Sequence, residues 1–396
     1  MRAQTIIHKL FSHTIHGRRL NILGQAVATA LWTKKLMLTH MARHLVNDKT
    51  QERSRIRKVD RLLANKHLIE DKSMIYQKIT HWLIGSNKQP YIIIDWSKYP
   101  GTQYHILRAA VVRSGRALTM YEELHTKAQE NHPDTHNTFL EKLATLLPKD
   151  CFPIILLDAG FSVPILKSIA KLKYHYVVRV RGLKTFQRKG NKNYEPIKNL
   201  MISATNKIQS LGEVTLTKKN PWSCQLFMFK MALTRGRQSA LKKKRVDKMS
   251  TGYANSWKEP WVLATSLTGE DAGKKAITLY MKRMTIEESF RDLKSHQYGF
   301  GLSTSRTTKM NRCEVLLLLS MLATFIAWCL GNIAEKKGWH KQFQASSIYK
   351  RRILSLVSLG CAVVRRRLSI PWRTIVYALK QASMPCAKAI YEVDYA

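Results

Sequence analysis

Between residues 90 and 181 the sequence passes from closely spaced β-rich runs to an alternation of helix and strand, and this limits the fold more than any other feature. PYIIIDWS (90–97), TQYHILRAAVVR (102–113) and GRALTMYEEL (115–124) are rich in β-branched and aromatic residues and are separated by Pro-Gly and Ser-Gly turn signals. Three such runs in succession predict an antiparallel meander. THNTFLEKLATLL (135–147) then reads as helix, FPIILLDAGF (152–161) as a buried strand, VPILKSIAKL (163–172) as helix and YHYVVRVR (174–181) as strand. The whole predicts an α/β fold with a mixed sheet.

The flanks read differently. Residues 1 to about 85 are helical in pattern, and Thr39 in LTHMARHL (38–45) is placed to cap a helix. In RSRIRKVDRLLANKHL (53–68), Ile56, Val59 and Leu63 fall at core-facing spacing. Arg53, Arg57 and Arg61, at i, i+4 and i+8, form a basic stripe. An ordinary solvated face is the plainer reading, but so few acids balance these arginines that a DNA-docking helix is predicted. Residues 182 to about 265 hold β-type pieces (EVTLTK, SCQLFMFKMAL, EPWVLATSL) and a basic loop, RGRQSALKKKRVDK (235–248), which together read as a β-rich insertion. A long helix is predicted from about Gly273 to Ser295, then an apolar helix, then a helical C-terminal region with three arginines at 365–367. The expected domains are helical 1–85, catalytic 86–340 with the insertion at about 182–265, and helical 341–396.

With 45% hydrophobic residues the chain can bury a large core, and wholesale disorder is not expected. Lys and Arg number 67 against 26 Asp and Glu, a formal net charge of +41. Self-repulsion at that charge is a standing cost, and binding a polyanion is the usual reason to tolerate it. Nucleic acid comes first; an anionic membrane or an acidic protein comes after. The basic residues are not gathered beside an amphipathic or spanning segment, which argues against a membrane partner. The longest apolar run, Val315 to Leu330, is shorter than the roughly 20 residues needed to cross a bilayer and reads as a core helix. Cysteines at 151, 224, 313, 329, 361 and 386 form no Cys-x-x-Cys pair and have no histidine cluster, so reduced thiols in the cytoplasm are expected rather than zinc.

Acidic residues are scarce, so their positions carry information. Asp95 follows the apolar run YIII, and Asp158 follows PIILL. Either could simply cap a turn. A carboxylate at the end of a buried strand nevertheless costs free energy unless something cationic compensates it. In LYMKRMTIEESFRDLKS (279–295), Tyr280, Arg283, Glu287, Arg291 and Lys294 share one face at 3.6 residues per turn. Ile286, Phe290 and Leu293 border that stripe on one side, and Ile277, Met281 and Met284 on the other. This suits the wall of a cleft better than a solvent face. Three carboxylates among cations fit phosphoryl transfer, with two metal ions about 4 Å apart clamping the attacking and leaving oxygens. Hard oxygen ligands without His or Cys favour magnesium or manganese.

At these residues the sequence resembles a group of bacterial insertion-sequence transposases, the fourth insertion-sequence family. Its signature Y-x-x-R-x-x-x-E-x-x-x-x-x-x-K appears intact as Tyr280, Arg283, Glu287 and Lys294. DWS at 95–97, DAGF at 158–161, and RDLKS with YGFGL after the glutamate also match, and the likeness runs from the basic N-terminal helices to about residue 360. The resemblance implies an Asp-Asp-Glu triad of Asp95, Asp158 and Glu287 on a ribonuclease H-like mixed-sheet core, interrupted by the β-rich insertion and flanked by helical N- and C-terminal regions. It selects Glu287 over the adjacent Glu288, which lies about 100° around the helix. Tyr280, Arg283 and Lys294 would contact phosphates, and Trp261 matches the tryptophan that stabilises a DNA hairpin; a core tryptophan on a strand is the competing reading. It further implies cut-and-paste chemistry on double-stranded DNA, at transposon ends and target, by a homodimer assembled on DNA at the bacterial nucleoid. Water would nick a strand, the new 3′-hydroxyl would attack the opposite strand to form a hairpin, and the reopened end would join target DNA. A ribonuclease H-like nuclease or resolvase without strand transfer, and a non-catalytic DNA-architectural protein, are the alternatives. The second explains the charge but not the ordered carboxylates.

Overall fold

The structure, a computed structural model, describes residues 3–113, 115–231, 259–345, 347–348 and 351–383. The basic loop at 235–248, Cys386 and the last residues of the C-terminal region lie outside the described residues. Six helices come first: α1 (Ala3–Phe11), α2 (Gly17–Thr33), α3 (Leu38–Arg43), α4 (Glu52–Leu63), α5 (Lys66–Glu70) and α6 (Lys72–Ile84). Then follow β1 (Tyr91–Lys98), β2 (Tyr104–Arg113), β3 (Arg116–Thr126), α7 (Pro133–Leu146), β4 (Ile154–Leu157), α8 (Val163–Lys171), β5 (His175–Val180), β6 (Thr185–Arg188), β7 (Glu195–Pro196), α9 (Ile197–Leu200), β8 (Gln209–Leu216), β9 (Trp222–Phe229) and β10 (Trp261–Thr265). The remaining helices are α10 (Ala272–Arg283), α11 (Thr285–Lys294), α12 (Met310–Lys336), α13 (Leu356–Arg365) and α14 (Trp372–Ser383). Two compact units divide these residues. One holds Met1–Glu130, Glu141–Cys151 and Met284–Pro385; the other holds Asn131–Leu140 and Phe152–Arg283.

In the first unit β1, β2 and β3 form the expected antiparallel meander, with Asp95 opposite Arg108 and Arg108 opposite Glu122. On α4, Val59, Leu62 and Leu63 are buried while Arg53, Arg57 and Arg61 are exposed. Ile56 is only half-buried, so the apolar stripe leans one position from the expected one. Thr39 does not cap α3; Met37 takes that position, and Leu36 just upstream is anchored by its N–H to the carbonyl of Phe300 at 3.0 Å. A tertiary hydrogen bond therefore sets where this helix enters. The helix α12 contains the whole apolar run and is 27 residues long, enough by length and composition to cross a membrane. Yet 89% of its most apolar stretch is buried inside the protein, as befits a core helix. A Cβ added at Gly331 would lie 2.0 Å from the carbonyl oxygen of Leu356, and one at Gly360 would lie 1.8 Å from that of Ala327. The backbones of α12 and α13 thus touch, and only glycine fits there.

In the second unit, β4 pairs in parallel with β5 through the crossover helix α8, and β5 pairs antiparallel with β10. The order continues β10-β9-β8-β6-β7, all antiparallel, so the sheet is mixed as predicted. The β-rich segment is not set apart from the core. Its last strand, β10, pairs directly with β5, matching Val262 to Val180. Cys151, Cys224, Cys313, Cys329 and Cys361 are free and buried.

Candidate active site

The predicted long helix is two helices. Met284 separates α10 from α11, and the Glu287 N–H bonds back to the Met284 carbonyl at 3.2 Å, a tighter i to i−3 closure. The five-residue face drawn from sequence is therefore divided: Tyr280 and Arg283 lie on α10, and Glu287, Arg291 and Lys294 on α11.

In the first unit, Asp95 stands in β1, half-buried, with Oδ1 accepting the Trp96 N–H at 2.9 Å. Two residues on, and on the same face of the strand, Ser97 Oγ accepts a hydrogen bond from Lys294 Nζ at 2.6 Å. The DWS block and the last residue of the helix signature thus meet. Burial, reinforced by the like charge of Arg108 and opposed by Asp95, lowers the Lys294 ammonium to about 8. Glu287 lies in the first turn of α11, where the helix dipole favours a carboxylate. Glu288 pairs with Arg291, and with Arg116 at 3.5 Å. Arg291 is exposed and holds Glu288, three residues earlier.

In the second unit, Asp158 directly follows β4. Its Oδ1 accepts the Tyr280 hydroxyl at 3.1 Å, so the DAGF block meets the first residue of the helix signature. Burial pushes the Asp158 carboxyl up, but Arg283, the Ala159 N–H, the Tyr280 hydroxyl and Arg179 together hold it below the usual carboxylate range. Arg283 is buried, its guanidinium 5.6 Å from the Tyr280 ring centre. Lys184 Nζ donates to the carbonyls of Ala159 at 3.0 Å and Phe161 at 2.7 Å, pinning the turn that carries Asp158. Burial lowers its ammonium, with Asp158 opposing. Trp261 is 6% exposed, edge-on to Tyr280 with ring centres 5.0 Å apart, and its ring centre lies 6.4 Å from that of Phe229. It occupies a core position and supports the tyrosine ring.

Several charged pairs involve none of the predicted site residues. Arg108 and Glu122 form a buried ion pair, Arg116 binds Asp292 at 2.7 Å, and Glu259 binds Arg179 at 3.1 Å and Arg181 at 2.8 Å. A charged residue inside an apolar β-run, as in HILRAAVV, was the available signal. Among the described residues, no three His, Cys, Asp or Glu side chains form a group that could hold a metal ion.

Over residues 80–325, more than half of its length, the chain matches the family model described as the transposase DDE domain. The class so defined is a polynucleotidyl transferase and endonuclease acting on DNA, and the mixed α/β architecture agrees with its ribonuclease H-like fold. The chain belongs to the transposase DDE domain family and is a DDE transposase. A comparison with curated proteins returns no match. Enzymes of this family use divalent metal ions.

Proposed function

We propose that this transposase works by cut and paste, with Asp95, Asp158 and Glu287 as the carboxylates that hold two magnesium ions, manganese being a substitute. Carrying the reading is the pairing of sequence blocks within each unit: DWS meets Lys294 through Ser97, and DAGF meets Tyr280. Each bond ties a carboxylate-bearing block to a residue of the helix signature, 197 and 122 positions away along the chain. The donor chemistry also suits a hard cation, since Asp158 is half-buried, held ionised and flanked by cations. When bound, the ions would act as Lewis acids on the scissile phosphodiester and the attacking oxygen.

The chain's own groups do the rest. Tyr280 and Arg283 keep Asp158 anionic and orient it. Arg283, Lys294 and Arg291 meet backbone phosphates, Lys294 near enough to its titration point for pH to govern its charge. The exposed Arg53, Arg57 and Arg61 dock duplex DNA outside the reaction centre. Trp261 holds the Tyr280 ring; stacking on a flipped base would require it to leave that packing. Nicking is followed by a hairpin on the transposon end, reopening, and joining to target, carried out by two copies assembled on paired ends at the nucleoid in the cytoplasm. The finer kinship is with the fourth insertion-sequence family, and within it with the transposase of the tetracycline-resistance composite transposon.

The test incubates the protein with a labelled duplex carrying its element end, in magnesium, manganese or calcium, and resolves products on a denaturing gel beside Asp95→Ala and Glu287→Gln. A nick at the element boundary and then a hairpin, with magnesium and in neither variant, is expected. Cleavage without hairpin or joined products would instead favour a nuclease, and binding without cleavage in any metal would sink the catalytic assignment.

A further inference from the structure

We propose that Arg108 is a positioning residue of the transposase reaction, fixing the strand that carries Asp95 to the helix that carries Glu287; this rests on the reading of those two carboxylates as metal ligands. Arg108 stands opposite Asp95 in the β1–β2 register and opposite Glu122 in the β2–β3 register. Residues directly opposite one another in antiparallel pairs share a face of the sheet, so all three side chains project to the same side. Arg108 is 2% exposed. Its Nε and Nη2 donate to Oε2 of Glu122 at 2.9 and 2.6 Å, and its Nη1 donates to Ser289 Oγ at 3.0 Å. The guanidinium lies 4.5 Å from the Phe290 ring centre. The other Glu122 oxygen accepts the Tyr76 hydroxyl from α6 at 3.3 Å.

Ser289 and Phe290 follow Glu287 by two and three residues. At 100° per residue Ser289 points about 200° away from Glu287, so Arg108 grips the far side of the helix and sets its rotation. Arg116, at the start of β3, adds a second point of attachment by binding Asp292 at 2.7 Å. A buried ion pair is a poor way to gain stability, because a well-packed apolar pair of similar volume often does as well or better. What it supplies here is direction: five fixed donors on a planar group that reach a strand neighbour and a helix at once.

The test compares the wild-type protein with Arg108→Met/Glu122→Gln, Ser289→Ala, Ser289→Thr and Glu287→Gln. Arg108→Met alone would leave Glu122 buried and unpaired and is expected to misfold, whereas the double variant removes both charges together. Four properties are read: the urea unfolding midpoint, duplex binding in calcium by fluorescence anisotropy, Mn²⁺ binding by electron paramagnetic resonance without DNA, and single-turnover nicking in magnesium. The double variant is expected to unfold near the wild-type midpoint and to bind duplex equally well, while its nicking rate and Mn²⁺ affinity each fall roughly 10- to 100-fold, as for supports of metal ligands elsewhere. Ser289→Ala should show a smaller loss of both, and Ser289→Thr should restore them. Wild-type nicking and Mn²⁺ affinity in either the double variant or Ser289→Ala would overturn the role of Arg108. Glu287→Gln separates the two layers: normal nicking in that variant defeats the ligand reading itself, whereas lost nicking there beside an unaffected Ser289→Ala defeats only the positioning role.

Discussion

Replacing Lys294 by methionine should make the protein more stable and inactive at once. Burial, helped by Arg108, brings its ammonium from the ordinary 10.5 to about 8. At about 1.4 kcal/mol per pKa unit, that fall corresponds to roughly 3 kcal/mol of unfavourable charge at neutral pH, or about 2 kcal/mol after allowing for the part of the amine that solvent screens. Methionine fills similar volume without the charge but loses the hydrogen bond to Ser97, worth about 1 kcal/mol. The net expectation is a gain of about 1 kcal/mol at pH 7. Between about 8 and 10.5 the unfolded lysine still holds its proton while the folded one has released it. The unfolded state then binds more protons, so wild-type stability rises with pH through that window. The advantage of the variant should accordingly shrink from pH 7 to pH 9.5 and then reverse. Urea unfolding at the two pH values measures this, and wild-type nicking should fall as pH passes about 8 if the ammonium meets a phosphate. A variant less stable than wild type at pH 7, or a difference that does not change with pH, would refute the account of Lys294 as a strained, functional cation.

Three other substitutions probe separate parts of the fold. Tyr280→Phe removes one of the bonds that hold Asp158 ionised, so its carboxyl should titrate closer to the ordinary range. Because a depressed carboxylate contributes stability above its unfolded pKa and loses it as pH falls through the folded one, the variant should lose part of that contribution at neutral pH; the acid limb of the pH–rate profile should move upward. Gly360→Ala places a methyl where the Ala327 carbonyl stands and should cost about 3 kcal/mol of unfolding free energy, as overpacking in a tight interface does, measured by chemical denaturation. Glu259→Gln releases Arg179 and Arg181 from their shared carboxylate, so duplex binding should tighten and its salt dependence steepen by about one in the log–log slope, read by anisotropy against salt.

What could be read from the chain follows from the range of the interactions involved. The strand and helix pattern of 90–181 is a local, periodic signal, and the meander and the β4–α8–β5 crossover appear where that signal places them. The break at Met284 was not legible, because Met284 keeps right-handed helical angles and no glycine or proline marks it. Pairing of β10 with β5 was not legible either, since register across more than 80 residues is set by tertiary packing and not by the strand's own sequence. Trp261 shows the same limit from the other side. Its position in EPWVLAT fits a solvent-facing aromatic as readily as a buried one, and only the rings of Phe229 and Tyr280 decide between them. The carboxylates stood out because the chain is so poor in them, whereas their arginine partners were hidden among 67 basic residues.

That excess of base makes the contrast between carboxylates meaningful. Glu122, Asp292 and Glu259 each take an arginine directly, with N–O distances of 2.6 to 3.1 Å. Such pairs satisfy the oxygens and leave little affinity for anything else. Asp158 also lies among cations, yet its side-chain donor is the neutral hydroxyl of Tyr280, and Arg283 and Arg179 act on it through their field. A field keeps the proton off without filling the coordination sphere, whereas a bidentate guanidinium would compete with a cation for the same lone pairs. On the proposed reading of Asp158 as a metal ligand, a structural carboxylate and a metal-binding one have different neighbours, even in a protein where arginine is never far away. Replacing Tyr280 by a longer base would test this directly: if Tyr280→Arg folds and places its guanidinium on Asp158, Mn²⁺ binding should be lost while duplex binding persists, and retained Mn²⁺ affinity would show that the hydroxyl was not chosen to keep the carboxylate open.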